Sequence, residues 1–141
     1  YLAEHDDLTG LYNRRALVGH LSDRLAAGNP GPVAVLYMDL DRLKSINDYL
    51  GHTAGDWFIR VFAQRLRVCA GSQSMIARLG GDEFVVSPDQ TMSSAAAESF
   101  ARRLGTMLRE RLAIGGHQIT RTVSIGLAVG MPGRDNSTDL L

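Results

Sequence analysis

The sequence is short of cysteine, lysine, proline and aromatic residues, and it lacks both a net charge and a long apolar run. Its 141 residues include one cysteine, Cys69, and four prolines. A lone thiol excludes an intrachain disulfide and a cysteine-rich zinc site, and it fits a reducing compartment. Within a helical stretch such a residue reads most simply as a small buried apolar group. Fifteen basic residues balance fifteen acidic ones, so the formal charge is zero. No global positive field draws in nucleic acid or an anionic membrane, and any anionic partner has to be held locally. No apolar stretch approaches the roughly 18 residues of a spanning helix, and no signal-peptide pattern opens the chain. With 45% hydrophobic residues, the chain reads as one compact soluble domain able to bury roughly 70% of its unfolded surface. It holds no internal repeat and no low-complexity tract. Because it opens at Tyr1 rather than at Met, residues 1–141 are expected to be a single domain cut from something longer.

What is present is unevenly placed. Fourteen of the fifteen basic residues are Arg, and the one lysine is Lys44. Eleven of the fifteen acidic residues are Asp, and Asp39, Asp41, Asp48 and Asp56 fall within eighteen positions around that lysine. Short carboxylates beside one compact ammonium fit a solvated loop, and they fit a metal and phosphate site equally well.

Periodicity and breakers set the expected elements. Asn13 caps a helix carrying Leu17, Leu21 and Leu25, which Gly28, Pro30, Gly31 and Pro32 stop. Val33 to Asp39 is a nearly continuous apolar run, as expected of a buried strand, and it ends on a carboxylate. Leu43 to Leu50 is a short helix closed by Gly51, and Thr53 is expected to cap a longer one. In that helix Trp57, Phe58 and Phe62 read as core. Met75 to Leu79 and Phe84 to Ser87 form a hairpin joined by Gly80-Gly81-Asp82-Glu83. Ser93 or Ser94 caps a helix through about Leu112, and Arg102, Arg103, Arg109 and Arg111 would make its solvated basic face. A Gly115-Gly116 turn, strands over Gln118 to Thr122 and Val123 to Val129, and a helical turn at Thr138 to Leu141 complete the chain. The order predicts an α+β fold, an α/β sandwich with helices packed on a mostly antiparallel central sheet. If the hairpin's return strand slots beside the Val33 strand, Asp39 faces Asp82 and Glu83 at one sheet edge.

Carboxylates meeting at one edge repel unless a cation sits between them, and hard oxygens without cysteine suit Mg²⁺ or Mn²⁺. Gly80 and Gly81 let a bulky ligand approach the hairpin backbone. Singly, each feature has a bland reading: Gly-Gly-Asp as a tight turn, Asp41 as a helix cap, Lys44 as a solvated residue. Arg14 and Arg15 read as surface residues of the first helix.

Taken in order, these residues carry a resemblance. Arg78-Leu79-Gly80-Gly81-Asp82-Glu83-Phe84 contains the signature of the GGDEF family of diguanylate cyclases. Asp6-Asp7-Leu8-Thr9-Gly10-Leu11-Tyr12-Asn13-Arg14-Arg15 resembles the family's opening motif. Asp39-Leu40-Asp41-Arg42-Leu43-Lys44-Ser45-Ile46-Asn47-Asp48 and Gly51-His52-Thr53-Ala54-Gly55-Asp56 resemble two further blocks, and Val123-Ser124-Ile125-Gly126 resembles the late strand. Ordered blocks along the whole chain are far more specific than any one of them.

The resemblance implies a palm-like nucleotidyl cyclase architecture and condensation of two GTP into cyclic di-GMP with release of two pyrophosphates. It implies Mg²⁺, with Mn²⁺ as a substitute, bound by Asp39, the Leu40 carbonyl, Asp82 and Glu83. It makes Asp82 the candidate base for the ribose 3′-hydroxyl, with Glu83 assisting, and Lys44 the partner of phosphate charge. Asn47 and Asp56 would read guanine, with His52 nearby and Gly80 and Gly81 beneath the nucleotide. Chemically, an ionised Asp56 accepts from the adjacent N1–H and N2–H₂ of guanine, which adenine does not offer. The implied partners are GTP, a second copy of the chain, and covalently linked sensor or phosphodiesterase domains, with no nucleic acid and no membrane insertion. The implied location is cytoplasmic, including the cytoplasmic part of a membrane-anchored sensor.

Three departures stand out. The family's Arg-x-x-Asp product-inhibition motif falls here on Gly71-Ser72-Gln73-Ser74, the usual Phe before the lysine is Leu43, and the closing helix with its cationic residues is missing from the sequence. The alternative to a cyclase is a catalytically weak GTP-binding regulatory domain of a larger cyclic di-GMP signalling protein.

Overall fold

In the computed structural model, residues 3–114 and 116–141 are described, the side chain of Ile114 excepted. The Gly115 half of the expected Gly115-Gly116 turn lies outside them. The elements run α1 (Arg14–Arg24), β1 (Val33–Leu40), α2 (Leu43–Leu50), α3 (His52–Ala70), β2 (Ser74–Gly80), β3 (Glu83–Pro88), α4 (Ser94–Leu108), β4 (Glu110–Ile114), β5 (His117–Arg121), β6 (Val123–Gly130) and α5 (Ser137–Leu140). Four strands form one sheet in the order β2-β3-β1-β6, with every neighbouring pair antiparallel. Helices pack on both faces, so the fold is α+β as the element order predicts.

The alternation of β1 divides the core. Ala34, Leu36, Met38 and Leu40 face Phe58, Ile59, Phe62 and Leu66 of α3, Ile46 of α2, and Leu104 and Leu108 of α4. Val33 and Val35 face Leu17 and Leu21 of α1 and Leu25 at its C-terminal cap, with Met75, Ala77 and Val85. Each of the Val, Leu, Ile, Phe and Met side chains among them contributes about 1.5–3 kcal/mol when buried. This two-sided burial is why β1 reads as a continuous apolar run and why its exposed end, Asp39, is conspicuous.

Three expectations are corrected. Thr53 does not cap α3, because the helix starts at His52 directly after Gly51, whose φ of +87° closes α2 in a conformation that favours glycine. Trp57 is not core: the buried stripe of α3 runs through Gly55, Phe58, Ile59, Phe62, Ala63, Leu66 and Ala70, leaving Trp57 43% exposed. The fourth helix stops at Leu108 rather than near Leu112, since Arg109 is extended at ψ 125° and residues 110–114 pair with β5 as a separate hairpin. The cause is packing: Leu112 registers with buried Ile119, and fully buried Arg121 meets the Glu110 carboxylate and lies 5.1 Å from the Phe62 ring. Arg109 and Arg111 therefore share no helix face with Arg102 and Arg103, although all four are exposed. No helix of the described residues is long and apolar enough to cross a membrane.

Candidate active site

Strand β3 lies between β1 and β2, so the end of β1 and the β2–β3 turn share one edge. Asp39 is the register partner of Glu83, and the Leu40 N–H donates to the Asp82 carbonyl at 3.0 Å. Gly80 and Gly81 take φ of +139° and +48°, conformations that L side chains rarely adopt, and a Cβ at either would meet nothing within 4 Å. The turn is open as well as tight.

The charges at this edge oppose one another. The Asp39 carboxyl is pushed above its ordinary value, first by desolvation at the strand end and then by the charges of Asp82, Glu83 and Asp41. Its side chain still reaches solvent, so water screens part of the effect. Burial, and then a hydrogen bond to the Glu83 carboxylate, raise the Tyr37 hydroxyl in turn. Every side chain here offers oxygen, the donor chemistry of a hard divalent cation. Among the described residues no three His, Cys, Asp or Glu side chains converge into a ready-made cage.

The remaining site residues stand on α2 and α3. Lys44 is exposed in the first turn of α2, and His52 is exposed at the start of α3, with exposed Asp56 one turn further on. Half-buried Asn47 lies against Gly55: a Cβ on that glycine would collide with the Asn47 amide oxygen. The α2–α3 corner at Gly51 thus seats Asn47 beside the backbone that carries Asp56. The side chains of Lys44 and His52 make no hydrogen bond or ion pair among the described residues.

Sequence reasoning assigned no role to several residues that hold this edge. The Arg78 Nε and Nη2 donate to the Gly81 carbonyl at 3.2 and 2.9 Å, and its Nη1 meets Asp6 at 3.0 Å. Asp6 in turn accepts from the Thr9 N–H and hydroxyl. Asp41 does not cap α2; its carboxylate accepts from Thr122 and Ser124 on the far side of β1. An arginine two residues before a Gly-Gly turn was the available signal for the first contact, while the second joins residues more than eighty positions apart.

A family model described as diguanylate cyclase, GGDEF domain, matches residues 3–141. The chain belongs to the GGDEF family. An uncharacterised protein of Mycobacterium tuberculosis is 62% identical over 141 residues, covering 100% of this chain and 23% of that protein. The bifunctional diguanylate cyclase/cyclic di-GMP phosphodiesterase MucR of Pseudomonas aeruginosa is 38% identical over 130 residues, 91% of this chain and 19% of its own length. A solved sensory box/GGDEF family protein from Caulobacter crescentus shares 38% identity and a TM-score of 0.79, covering 89% of this chain and 83% of that one. The GGDEF domain described here therefore spans less than a quarter of these two curated relatives. Its fold is that of other GGDEF domains.

Proposed function

We propose that this GGDEF domain is a Mg²⁺-dependent diguanylate cyclase. In that reaction the 3′-oxygen of each GTP forms a bond to the α-phosphorus of the other, and each bond from α-phosphorus to the β-phosphate bridge breaks. The bonding pair leaves with pyrophosphate, and the 3′-hydroxyl proton passes to a base. Asp82 takes that proton, with Glu83 beside it. Asp39, Asp82, Glu83 and the Leu40 carbonyl would hold Mg²⁺ or Mn²⁺, which when bound offsets phosphate charge and acidifies the attacking hydroxyl. Lys44 faces the developing phosphate charge, Gly80 and Gly81 leave room for the nucleotide, and Asn47, Asp56 and His52 line the guanine side. Each copy holds one GTP, so turnover needs two copies face to face, brought together by further domains of a longer protein.

The observation that carries this reading is the crowding of Asp39 with Asp82 and Glu83 at an open glycine turn, where burial and mutual repulsion, with a smaller contribution from Asp41 across the strand, raise the Asp39 pKa. A carboxylate strained in this way gains from a cation and has no packing reason to be there. The test is to incubate the purified full-length protein with GTP and Mg²⁺ and to look for cyclic di-GMP by mass spectrometry. Product from the wild type and none from Asp82→Asn is the expected result. GTP binding without product would overturn the cyclase and leave the regulatory alternative.

A further inference from the structure

Asp41 directly follows β1, and three hydrogen bonds tie it to the chain at the start of β6. Its carboxylate accepts from Thr122 Oγ1 at 2.6 Å through one oxygen and from Ser124 Oγ at 2.8 Å through the other. Its own N–H donates to the Thr122 carbonyl at 3.1 Å. No cis peptide occurs among the described residues. The carbonyl of Leu40, which shares a peptide plane with the Asp41 N–H, therefore points the opposite way, away from β6. The Leu40 N–H is bound to the Asp82 carbonyl, and in an antiparallel ladder a residue's N–H and C=O face the same neighbour. Two bonds on opposite sides of β1 thus aim the Leu40 carbonyl at the Asp82 side of the edge.

The next residue turns the chain. Arg42 has a φ of +71°, the one non-glycine among the described residues in the left-handed region, and no side chain caps the helix that starts there. Such a conformation persists only where its surroundings over-determine it. The clamp on Asp41 fixes the residue immediately before this turn, and α2 with Lys44 and Asn47 begins immediately after it. A carboxylate occupied by two hydroxyls at 2.6 and 2.8 Å is committed to them and acts through its neighbours.

We infer that Asp41, Thr122 and Ser124 are positioning residues: together they aim the Leu40 carbonyl at the cation and set the start of α2. This rests on the metal-site reading above. The expected size follows from other metal sites, where loss of an outer hydrogen-bond partner weakens binding by about 10–100-fold.

The test titrates the full-length protein with Mn²⁺ alone, reading free Mn²⁺ by electron paramagnetic resonance, with circular dichroism as a separate check on folding. Thr122→Val and Asp41→Asn should weaken Mn²⁺ binding by about tenfold or more, and Ser124→Ala by a smaller factor. Thr122→Ser, which keeps the hydroxyl, should restore affinity to within about twofold, a rescue that a merely structural role would not require. A folded Thr122→Val with wild-type Mn²⁺ affinity would overturn the inference. If that variant does not fold, Ser124→Ala decides, and unchanged affinity there overturns it equally. A wild type that takes up no Mn²⁺ overturns it too. Clamp-dependent Mn²⁺ uptake without cyclic di-GMP formation keeps the clamp and defeats the cyclase, whereas turnover with clamp-independent Mn²⁺ affinity does the reverse.

Discussion

Arg78 and Asp6 lie 72 positions apart in the chain and meet at 3.0 Å, with side chains 12% and 14% exposed. The same guanidinium grips the Gly81 carbonyl through two nitrogens, so the N-terminal turn around Asp6 and the Gly80-Gly81 turn form one mechanical unit. A planar fork can serve two acceptors in fixed directions, and an ammonium cannot. Arg78→Lys should therefore lose stability despite keeping the charge, by about 1.5–3 kcal/mol, the range for hydrogen bonds to charged groups. Urea denaturation of the variant should show a lower midpoint with an unchanged slope. A midpoint equal to wild type would mean that the turn holds itself.

Asp39→Asn should stabilise the protein in the absence of divalent cations while removing GTP turnover. The sign follows from the raised pKa, caused first by desolvation and then by Asp82, Glu83 and Asp41. A carboxyl whose folded pKa lies above its ordinary value binds more protons folded than unfolded, so stability falls as pH rises through the window between those two values. Below the ordinary value the penalty is absent. In chelator, the melting temperature of the variant minus that of wild type should be near zero at the acid end of the window and should grow through it to a plateau above. A flat difference would remove the repulsion from Asp39.

The sheet was legible because two signals agreed: β1 reads as a buried strand, and a hairpin after two helices can return beside it at the edge where β1 ends. Asp39 facing Glu83 follows once the return strand takes that place, as it does here. The β4–β5 hairpin was not legible, because residues 109–112 continue a helical pattern and the deciding partner, Arg121, is brought in from beyond the next turn. Trp57 was misplaced for a simpler reason: beside Phe58 it looks like core, but one residue is about 100° of helix. Of the site, the carboxylates and glycines announce themselves by type and spacing. The contacts that hold them, Arg78 on Gly81 and Thr122 on Asp41, join segments whose proximity only the folded sheet creates.

Gly55→Ala tests the proposed guanine side without altering a charged residue. Helix propensity alone favours alanine by up to about 1 kcal/mol, but Gly55 is buried and a Cβ on it would overlap the Asn47 amide oxygen. Overpacking costs about 1–3 kcal/mol, so the net effect should be destabilising and Asn47 should be displaced. Calorimetry should show weaker GTP binding with Mn²⁺ affinity unchanged. Combining it with Asn47→Ala should recover stability but not GTP affinity. A Gly55→Ala variant that gains stability would show that Asn47 moves aside freely.

The loop between α3 and β2 bears on whether cyclic di-GMP, the product of the proposed reaction, could feed back on the domain. Where the family's inhibition motif has Arg and Asp, this chain has Gly71 and Ser74, and the backbone is already committed. Gly71 closes α3 at φ +79°, the Ser74 hydroxyl donates to the Ala70 carbonyl at 3.3 Å, and the Gln73 carbonyl accepts from the Asp89 N–H at 2.9 Å. Bidentate arginine recognition of phosphate, backed by a carboxylate, has no substitute among glycine, serine and glutamine. The full-length protein should therefore bind cyclic di-GMP weakly at this loop, and its GTP turnover should not be inhibited there at micromolar product. Installing the pattern as Gly71→Arg with Ser74→Asp should create such inhibition at a cost. At φ +79° and ψ 172° Gly71 occupies a region essentially reserved for glycine, where a side chain costs about 1–3 kcal/mol, so the melting temperature should fall as sensitivity appears. Micromolar, non-competitive inhibition of the wild type that disappears with Ser72→Ala or Gln73→Ala would show instead that this loop recognises the product by other means.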